Sequence, residues 1–346
     1  MTLIWFILIL GVIILVHEFG HFIFAKWAGV YVYEFSIGMG PKLFSKKDKK
    51  GETEYSVRLI PIGGFVRLAG EEVDDDKKIG KDRKLYNKGF WQRFMIMFAG
   101  PMNNFILCFV ILLISALTYG SISQKPVIDS VSPDYPAYKA GIVGGDTILS
   151  INGDKVDSWS EVQLLIQTTK GSKLEIVLKD VNNKKKTVTL TPEAVKNEDG
   201  STSYLIGVGM RRKVEKGVVP SLKNACETTG SLFKLMLVTV KELFTGGVAV
   251  KELSGPVGIY TVVGEQAKAG FESILSLIAF LSINVGVINL IPFPAFDGGR
   301  ILFLIIEKLT KKSIPTSVEN MVNNIGFLLL ILLMIYVTFN DIIRLF

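Results

Sequence analysis

Apolar residues in this chain gather into blocks too long for ordinary core helices, with polar stretches between them. Four blocks approach the roughly 20 helical residues that cross a bilayer core: residues 3–25, 94–119, 273–290 and about 325–339. The second carries no charge from Met95 to Tyr119, and the third is short and ends in prolines. Residues 31–33, 54–59 and 65–68 read as strands, the last two joined by a Pro61-Ile62-Gly63-Gly64 turn. Frequent glycine there suits a strand that another backbone approaches closely. Residues 71–88 are charge-rich and predict a loop. Strand-like runs at 127–131, 147–151, 174–178, 187–190 and 204–208, with helical spacing at 160–168, predict an inserted α+β module. Residues 218–245 have amphipathic helical spacing, which suits a membrane surface or packing against that module.

Composition supports a polytopic α-helical membrane protein with four transmembrane helices, at 49% hydrophobic residues and a mean hydropathy of +0.40. The first block lacks a basic leading region and a small-residue cleavage site and runs too long for a signal peptide, so it reads as a retained span. The net charge of +7 is largely topological. Residues 26–93 hold 15 Lys/Arg, and Arg300, Lys308, Lys311 and Lys312 follow the third block. The positive-inside rule then places both basic loops in the cytoplasm of a cell-membrane protein, with both termini and the inserted module outside. No basic stripe with interleaved aromatics supports nucleic-acid binding. Cys108 and Cys226 lie in segments that cannot pair, and both read as structural.

The chemistry lies in the first block. His17-Glu18-Phe19-Gly20-His21 contains the only two histidines of the chain. Ionisable groups within hydrocarbon usually mark function. Residues four apart share a helix face, so both rings can address one ion while Glu18 projects beside them. His-Glu-x-x-His is the zinc-hydrolase pattern, two ligands and a glutamate next to the water that attacks. A catalytic zinc normally takes three protein ligands. With no third histidine and badly placed cysteines, the third should be a carboxylate. His17 stands about 21 Å along a helix from Leu3, hence in the inner half of the bilayer. Asp297 lies near the inner end of the third span, whereas Asp341, Glu265 and Glu272 fall outside. Asp297 is left by elimination. Its surroundings, Asn289-Leu290-Ile291-Pro292-Phe293-Pro294-Ala295-Phe296-Asp297-Gly298-Gly299, break the helix, as is tolerated at membrane depth only beside protein or water.

Two resemblances follow from these residues. The run from Ala140 to Gly153, AGIVGGDTILSING, resembles the core of PDZ domains. HEFGH, FSIGMGP, RLIPIGGFVRLAGE, AGPMNNF, SGPVGI and NLIPFPAFDGG, in that order along nearly the whole chain, resemble the site-2 protease family of intramembrane zinc metalloproteases, in its bacterial sigma-regulator branch. The family's Leu-Asp-Gly is Phe296-Asp297-Gly298 here. One PDZ-like domain stands where the Gram-negative members carry two, which points to a Gram-positive or minimal member. The resemblance implies one Zn2+ on His17, His21 and Asp297, Glu18 as general base, and Asn289 in contact with the substrate backbone. It maps a membrane-associated, reentrant β-hairpin onto Tyr55–Leu68, where Tyr55, Val57, Leu59, Gly63 and Gly64 would pair with extended substrate. Implied partners are single-span membrane proteins such as anti-sigma factors, signal peptide remnants and the lipid bilayer.

The resulting segments are a first helix over 1–25, a β region and loop over 26–93, and a second helix over 94–119. A PDZ-like domain over 120–212, amphipathic linker helices over 213–272 and a third span over 273–297 follow. A cytoplasmic loop covers 298–324 and a fourth helix 325–346. The competing reading is a membrane-tethered PDZ scaffold with a vestigial metal site. A transporter finds no inverted repeat to support it.

Overall fold

The computed structural model describes residues 1–49, 51–71, 78–122, 125–196, 202–210, 214–246 and 253–344. They form two compact units, Met1–Ile111 with Leu253–Phe346, and Leu112–Glu252.

The first unit begins with helix α1 (Thr2–Trp27), then strands β1 (Val32–Lys47) and β2 (Glu54–Leu68), and helix α2 (Phe90–Tyr119). Four helices among the described residues are long and apolar enough to cross a membrane, α1, α2, Phe271–Leu290 and Ser317–Ile343. The chain is thus a polytopic membrane protein of mixed helix and strand. Apolar side chains cover α1 on every side, which is what a helix in lipid requires. Pro101 lies inside α2, where it removes one backbone donor without ending the helix. Residues 71–88 are not simply a loop: Arg83 forms a forked pair with Glu52 at 2.8 and 2.9 Å, and Leu85 is buried. Residues 72–77 of that stretch lie outside the described residues.

β1 and β2 each fold back, giving four sheet segments in place of a simple hairpin. Segment 32–37 pairs on one side with 64–68 in the opposite sense (Phe35 with Val66, Ile37 with Gly64). On its other side it matches 54–57 in the same sense (Phe35 with Tyr55, Ile37 with Val57). Segment 42–47 completes the sheet against 54–58. Side chains alternate across a strand, so Glu34, Ser36, Ser56 and Arg58 share one face while Phe35, Ile37, Phe44, Tyr55 and Val57 share the other. The burial is inverted from that of a soluble sheet. Glu34, Ser36 and Ser56 are buried, whereas Ile37, Phe44 and Val57 are exposed. The covered polar groups bond to one another and to the backbone: Ser56 donates to Glu34 at 2.5 Å, and Arg58 donates to Glu34 at 2.7 Å and to the Gly40 carbonyl at 2.6 Å. An apolar exterior over a hydrogen-bonded polar interior suits lipid surroundings.

The second unit holds β3 (Ser121–Ile122), β4 (Ile128–Val131), α3 (Pro136–Lys139), β5 (Thr147–Ile151), β6 (Asp154–Lys155) and α4 (Trp159–Thr168). It continues with β7 (Leu174–Lys179), β8 (Lys185–Leu190), β9 (Glu193–Lys196), β10 (Thr202–Leu205), β11 (Val208–Met210), β12 (Val214–Glu215) and α5 (Val218–Thr245). A four-stranded sheet in the order β6-β5-β7-β8 is accompanied by the pairs β4–β11, β9–β10 and β3–β12. Ile128, Ile148, Ile151, Trp159, Val162, Leu174, Ile176 and Leu178 fill its core. The expected Asn152-Gly153 turn joins β5 to β6 with φ of 50° and 87°, a left-handed pair that suits this dipeptide. Ser158 caps α4 by accepting the Glu161 N–H at 3.3 Å. Helix α5 packs on this unit through Lys234, which donates to Asp157 at 3.0 Å and lies 3.0 Å from Glu161.

The first unit resumes with α6 (Pro256–Ala269), α7 (Phe271–Leu290), α8 (Asp297–Thr310) and α9 (Thr316–Ile343). Ile9 and Ile13 of α1, Val263 of α6, and Ile274 and Leu277 of α7 form one buried cluster. A second joins Ala25, Val32, Leu68, Leu85, Ile96 and Leu304, so α1, the sheet, α2 and α8 share a core. The stretch 298–324, read from sequence as a loop, is largely helical. Its apolar Ile301 and Leu304 supply the missing reason, since both pack into that cluster.

Candidate metal centre

His17 and His21 occupy successive turns of α1, and the helix period points both rings toward α2 and the start of α8. Asp297 is the first residue of α8 and reaches them across the irregular segment after α7. Loop 291–296 is held tightly. Ala295 adopts a left-handed φ of 76°, and its N–H donates to Asn323 of α9 at 3.3 Å. A Cβ on Gly298 would run into the Leu290 and Ile291 carbonyl oxygens, and one on Gly299 into that of Phe293. These glycines let the loop fold directly over the first turn of α8.

Three ligand atoms result. His17 Nε2 lies 3.1 Å from Asp297 Oδ2, His21 Nε2 lies 3.4 Å from it, and the two Nε2 atoms are 3.2 Å apart. Zinc bonds of about 2.0–2.1 Å at a tetrahedral angle require ligand atoms about 3.3 Å apart. The spacing fits one tetrahedral ion. These three are the group among the described residues whose donor atoms could hold a metal. Asp297 Oδ2 is buried with no hydrogen-bond donor, a costly arrangement for a carboxylate unless a cation faces it.

Surrounding groups set the tautomers. His21 Nδ1 lies 2.8 Å from the Ile96 carbonyl, which only accepts, so Nδ1 carries the proton and Nε2 presents its lone pair inward. His17 Nδ1 meets the side-chain amide of Asn104 at 3.2 Å. When His17 Nε2 holds a metal its Nδ1 carries a proton, and the amide oxygen is the end of Asn104 that accepts it. Asn104 is fully buried, and its backbone carbonyl accepts Ser282 Oγ of α7 at 2.9 Å. Neighbouring Asn103 donates to the Val16 carbonyl at 3.1 Å. Gly100 is the wall of the centre. A Cβ there would lie 2.8 Å from His17 Nε2 and closer still to His21 Nε2. Gly20 on α1 in turn abuts the Ala99 carbonyl, so paired glycines bring the two helices together. Asn104, Ser282 and Gly100 carry no signal in the sequence beyond the AGPMNN run, because their roles depend on which helices cross.

The remaining residues singled out from sequence take different places. Glu18, half-buried, faces the sheet, and a Cβ on Gly64 would lie 3.9 Å from its Cγ. Gly63 neighbours Ile14, and its φ of 83° needs glycine. Segment 61–66 therefore runs along α1 at the level of the histidines. Tyr55 and Val57 lie elsewhere, on a segment flanked by strands on both sides, with their side chains on the apolar face away from the polar network. Leu59 is exposed beyond them. Asn289, in the last turn of α7, donates its amide to the Val285 carbonyl of its own helix at 2.9 Å.

A bundle of apolar helices with two imidazoles and a carboxylate converging on one point, and a glutamate alongside, defines a membrane-embedded metallohydrolase. The model of peptidase family M50 matches residues 5–333, and the chain belongs to that family. It is 36% identical to the regulator of sigma-W protease RasP of Bacillus subtilis, over 100% of this chain and 99% of that protein. The zinc metalloprotease RasP of Bacillus licheniformis is 35% identical over the same shares. A Clostridium acetobutylicum relative is 39% identical over 97% of this chain and 96% of its own.

Proposed function

We propose that this peptidase binds one zinc ion through His17, His21 and Asp297 and hydrolyses peptide bonds within the membrane segments of single-span proteins. The convergence of three ligand atoms at 3.1–3.4 Å carries the reading. Zinc bound there supplies a Lewis acid that polarises the scissile carbonyl and brings the pKa of water to about 7. Glu18 takes the proton of the attacking water and passes it to the leaving amine. Ile96 and Asn104 hold the imidazole protons outward, so both rings keep their lone pairs for the metal.

A transmembrane substrate helix hides its carbonyls in its own hydrogen bonds and must unwind before attack. The outer edge of segment 61–66 is suited to pair with the extended chain, since its inner side is already matched to 32–37 and its Gly63-Gly64 pair borders Glu18. Asn289 would hold the substrate backbone after leaving its bond to Val285. Tyr55 and Val57, assigned to the same role from sequence, lack this free edge.

The basic flanks favour the site in the cytoplasmic leaflet, with both termini and the PDZ-like module outside the cell. There the PDZ-like module would act as a size filter that admits substrates trimmed by an earlier protease. The Bacillus subtilis relative is named a regulator of sigma-W protease, which supports anti-sigma factors as the substrate class here, with signal peptide remnants as a second.

The test is Glu18→Gln in purified protein with a single-span reporter. Zinc should stay at one per chain while cleavage falls by about 10²–10⁴-fold, the usual worth of a general base. Undiminished cleavage removes Glu18 from the mechanism. Peptide capture by the module that persists after chelation, with no cleavage by the wild type, would favour the scaffold reading.

A further inference from the structure

The apolar face of the sheet carries a cleft of about 460 Å³. Phe35, Ile37, Phe44, Tyr55 and Val57 line it. Lys46, Lys47 and Lys49 stand at one end, together with Asp48. The polarity follows the register: Lys46 lies beside Tyr55, and Phe44 beside Val57 two residues further along. The cleft thus runs from a cationic mouth to an apolar end.

Contacts with α1 set its depth. Asp48, at the mouth, lies 3.7 Å from Lys26 in the last turn of α1. Tyr55 packs on Phe22, with ring centroids 5.9 Å apart. Val57 is matched through Ile37 to Gly64, which borders Glu18. From Lys26 to Glu18 a helix rises about 12 Å, comparable to one leaflet's hydrocarbon, half of a roughly 30 Å core. The mouth is therefore level with the membrane surface and the apolar walls with the acyl chains.

We propose that this cleft is a binding site for one anionic phospholipid of the leaflet into which the Lys26 end of α1 emerges. The acyl chain lies along Ile37, Phe44 and Val57, and Lys46, Lys47 and Lys49 hold the phosphate. Charge and position favour this occupant over substrate: the edge suited to pair with a peptide is segment 61–66, whereas Tyr55 and Val57 sit on a strand flanked on both sides. Asp48 does not oppose the headgroup, because Lys26 pairs with it.

The full chain, reconstituted from vesicles of equal phosphatidylglycerol and phosphatidylcholine and released for native mass spectrometry, should retain one phosphatidylglycerol at least five-fold over phosphatidylcholine. The triple variant Lys46→Gln, Lys47→Gln, Lys49→Gln should lose that preference. Val57→Trp, which fills the cleft, should lose the retained lipid, and zinc content should stay at one per chain in both as the check on folding. A photoreactive benzoylphenylalanine in place of Phe44 should cross-link phospholipid. Equal retention of the two lipids by the wild type, or a preference that survives Val57→Trp, overturns the site. So does cross-linking to a single-span substrate in place of lipid, which would return the cleft to the peptidase reaction.

Discussion

Asn104 borders the candidate metal centre from outside its three donor atoms. It spans two contacts, its side chain to His17 Nδ1 and its backbone carbonyl to Ser282 of α7. Replacing it with leucine keeps volume and burial but leaves the His17 Nδ1 proton with no acceptor. Outer partners of metal-bound histidine typically contribute 10–100-fold in affinity. Asn104→Leu should therefore weaken zinc by about that factor in competition with a chromogenic chelator. Asn104→Gln or Asn104→Asp, which keep an acceptor, should recover part of the loss. A chelator titration that matches the wild type would place the orienting group elsewhere. At this scale the sequence was partly legible. The i, i+4 histidines announce themselves because helix geometry alone brings them together. Nothing local announces Asn104, because it meets His17 only through the crossing of α1 and α2.

Between elements, an ion pair ties the sheet to the helix that carries Asp297. Glu71, three residues beyond β2, pairs with Arg300 in the first turn of α8. Glu71 raises the Arg300 guanidinium above its ordinary value, outweighing burial, so Arg300 stays charged. Arg93 of α2 adds a second link, to Glu307 of α8 at 2.7 Å. Arg300→Gln should slacken segment 61–68 against the metal centre. The expected result is a kcat reduced several-fold with zinc still at one per chain, and faster hydrogen exchange over residues 61–71. Unchanged exchange with reduced kcat would assign Arg300 to another role.

The strands and their apolar alternation were readable, since period-two patterning is local. Their arrangement was not. Pairing 32–37 with 54–57 in the same sense and with 64–68 in the opposite sense joins residues up to thirty-six apart. The sequence suggested a turn at Pro61–Gly64 between two strands, and β2 does reverse between 54–58 and 64–68, but its two halves flank 32–37 instead of pairing with each other. Helix α8 was missed because Gly298-Gly299 read as a breaker, when the glycines are needed for the loop to pass close above them.

In the whole molecule, the second unit raises the question of what keeps α5 on the module, a choice the sequence left open. Lys234 answers it with contacts to Asp157, Glu161 and the Lys155 carbonyl. Burial would lower the Lys234 pKa, but the hydrogen bonds to Asp157 and Glu161 outweigh it and raise it. A raised lysine pKa stabilises the folded state fully below the unfolded value of about 10.4 and loses that contribution as pH climbs through the folded one. Protection of α5 from limited proteolysis in the full chain should hold from pH 7 to 9 and fall only in strong alkali. Lys234→Met should be cleaved at α5 already at pH 7. Equal protection of the variant would show that apolar contacts alone seat the helix.

The sequence by itself determined the membrane class, four apolar segments long enough to span it, the histidine pair on one face of α1 and the elements of the inserted module. Each of these depends on helix or strand period, hydropathy and charge within a short window. The tertiary structure decided what no window contains: the approach of Asp297 to both rings, the glycine-lined contact of α1 with α2, the orienting Asn104 and the inverted sheet. Those depend on packing distances between segments far apart in the chain, where a few tenths of an ångström decide whether three ligand atoms can share one ion.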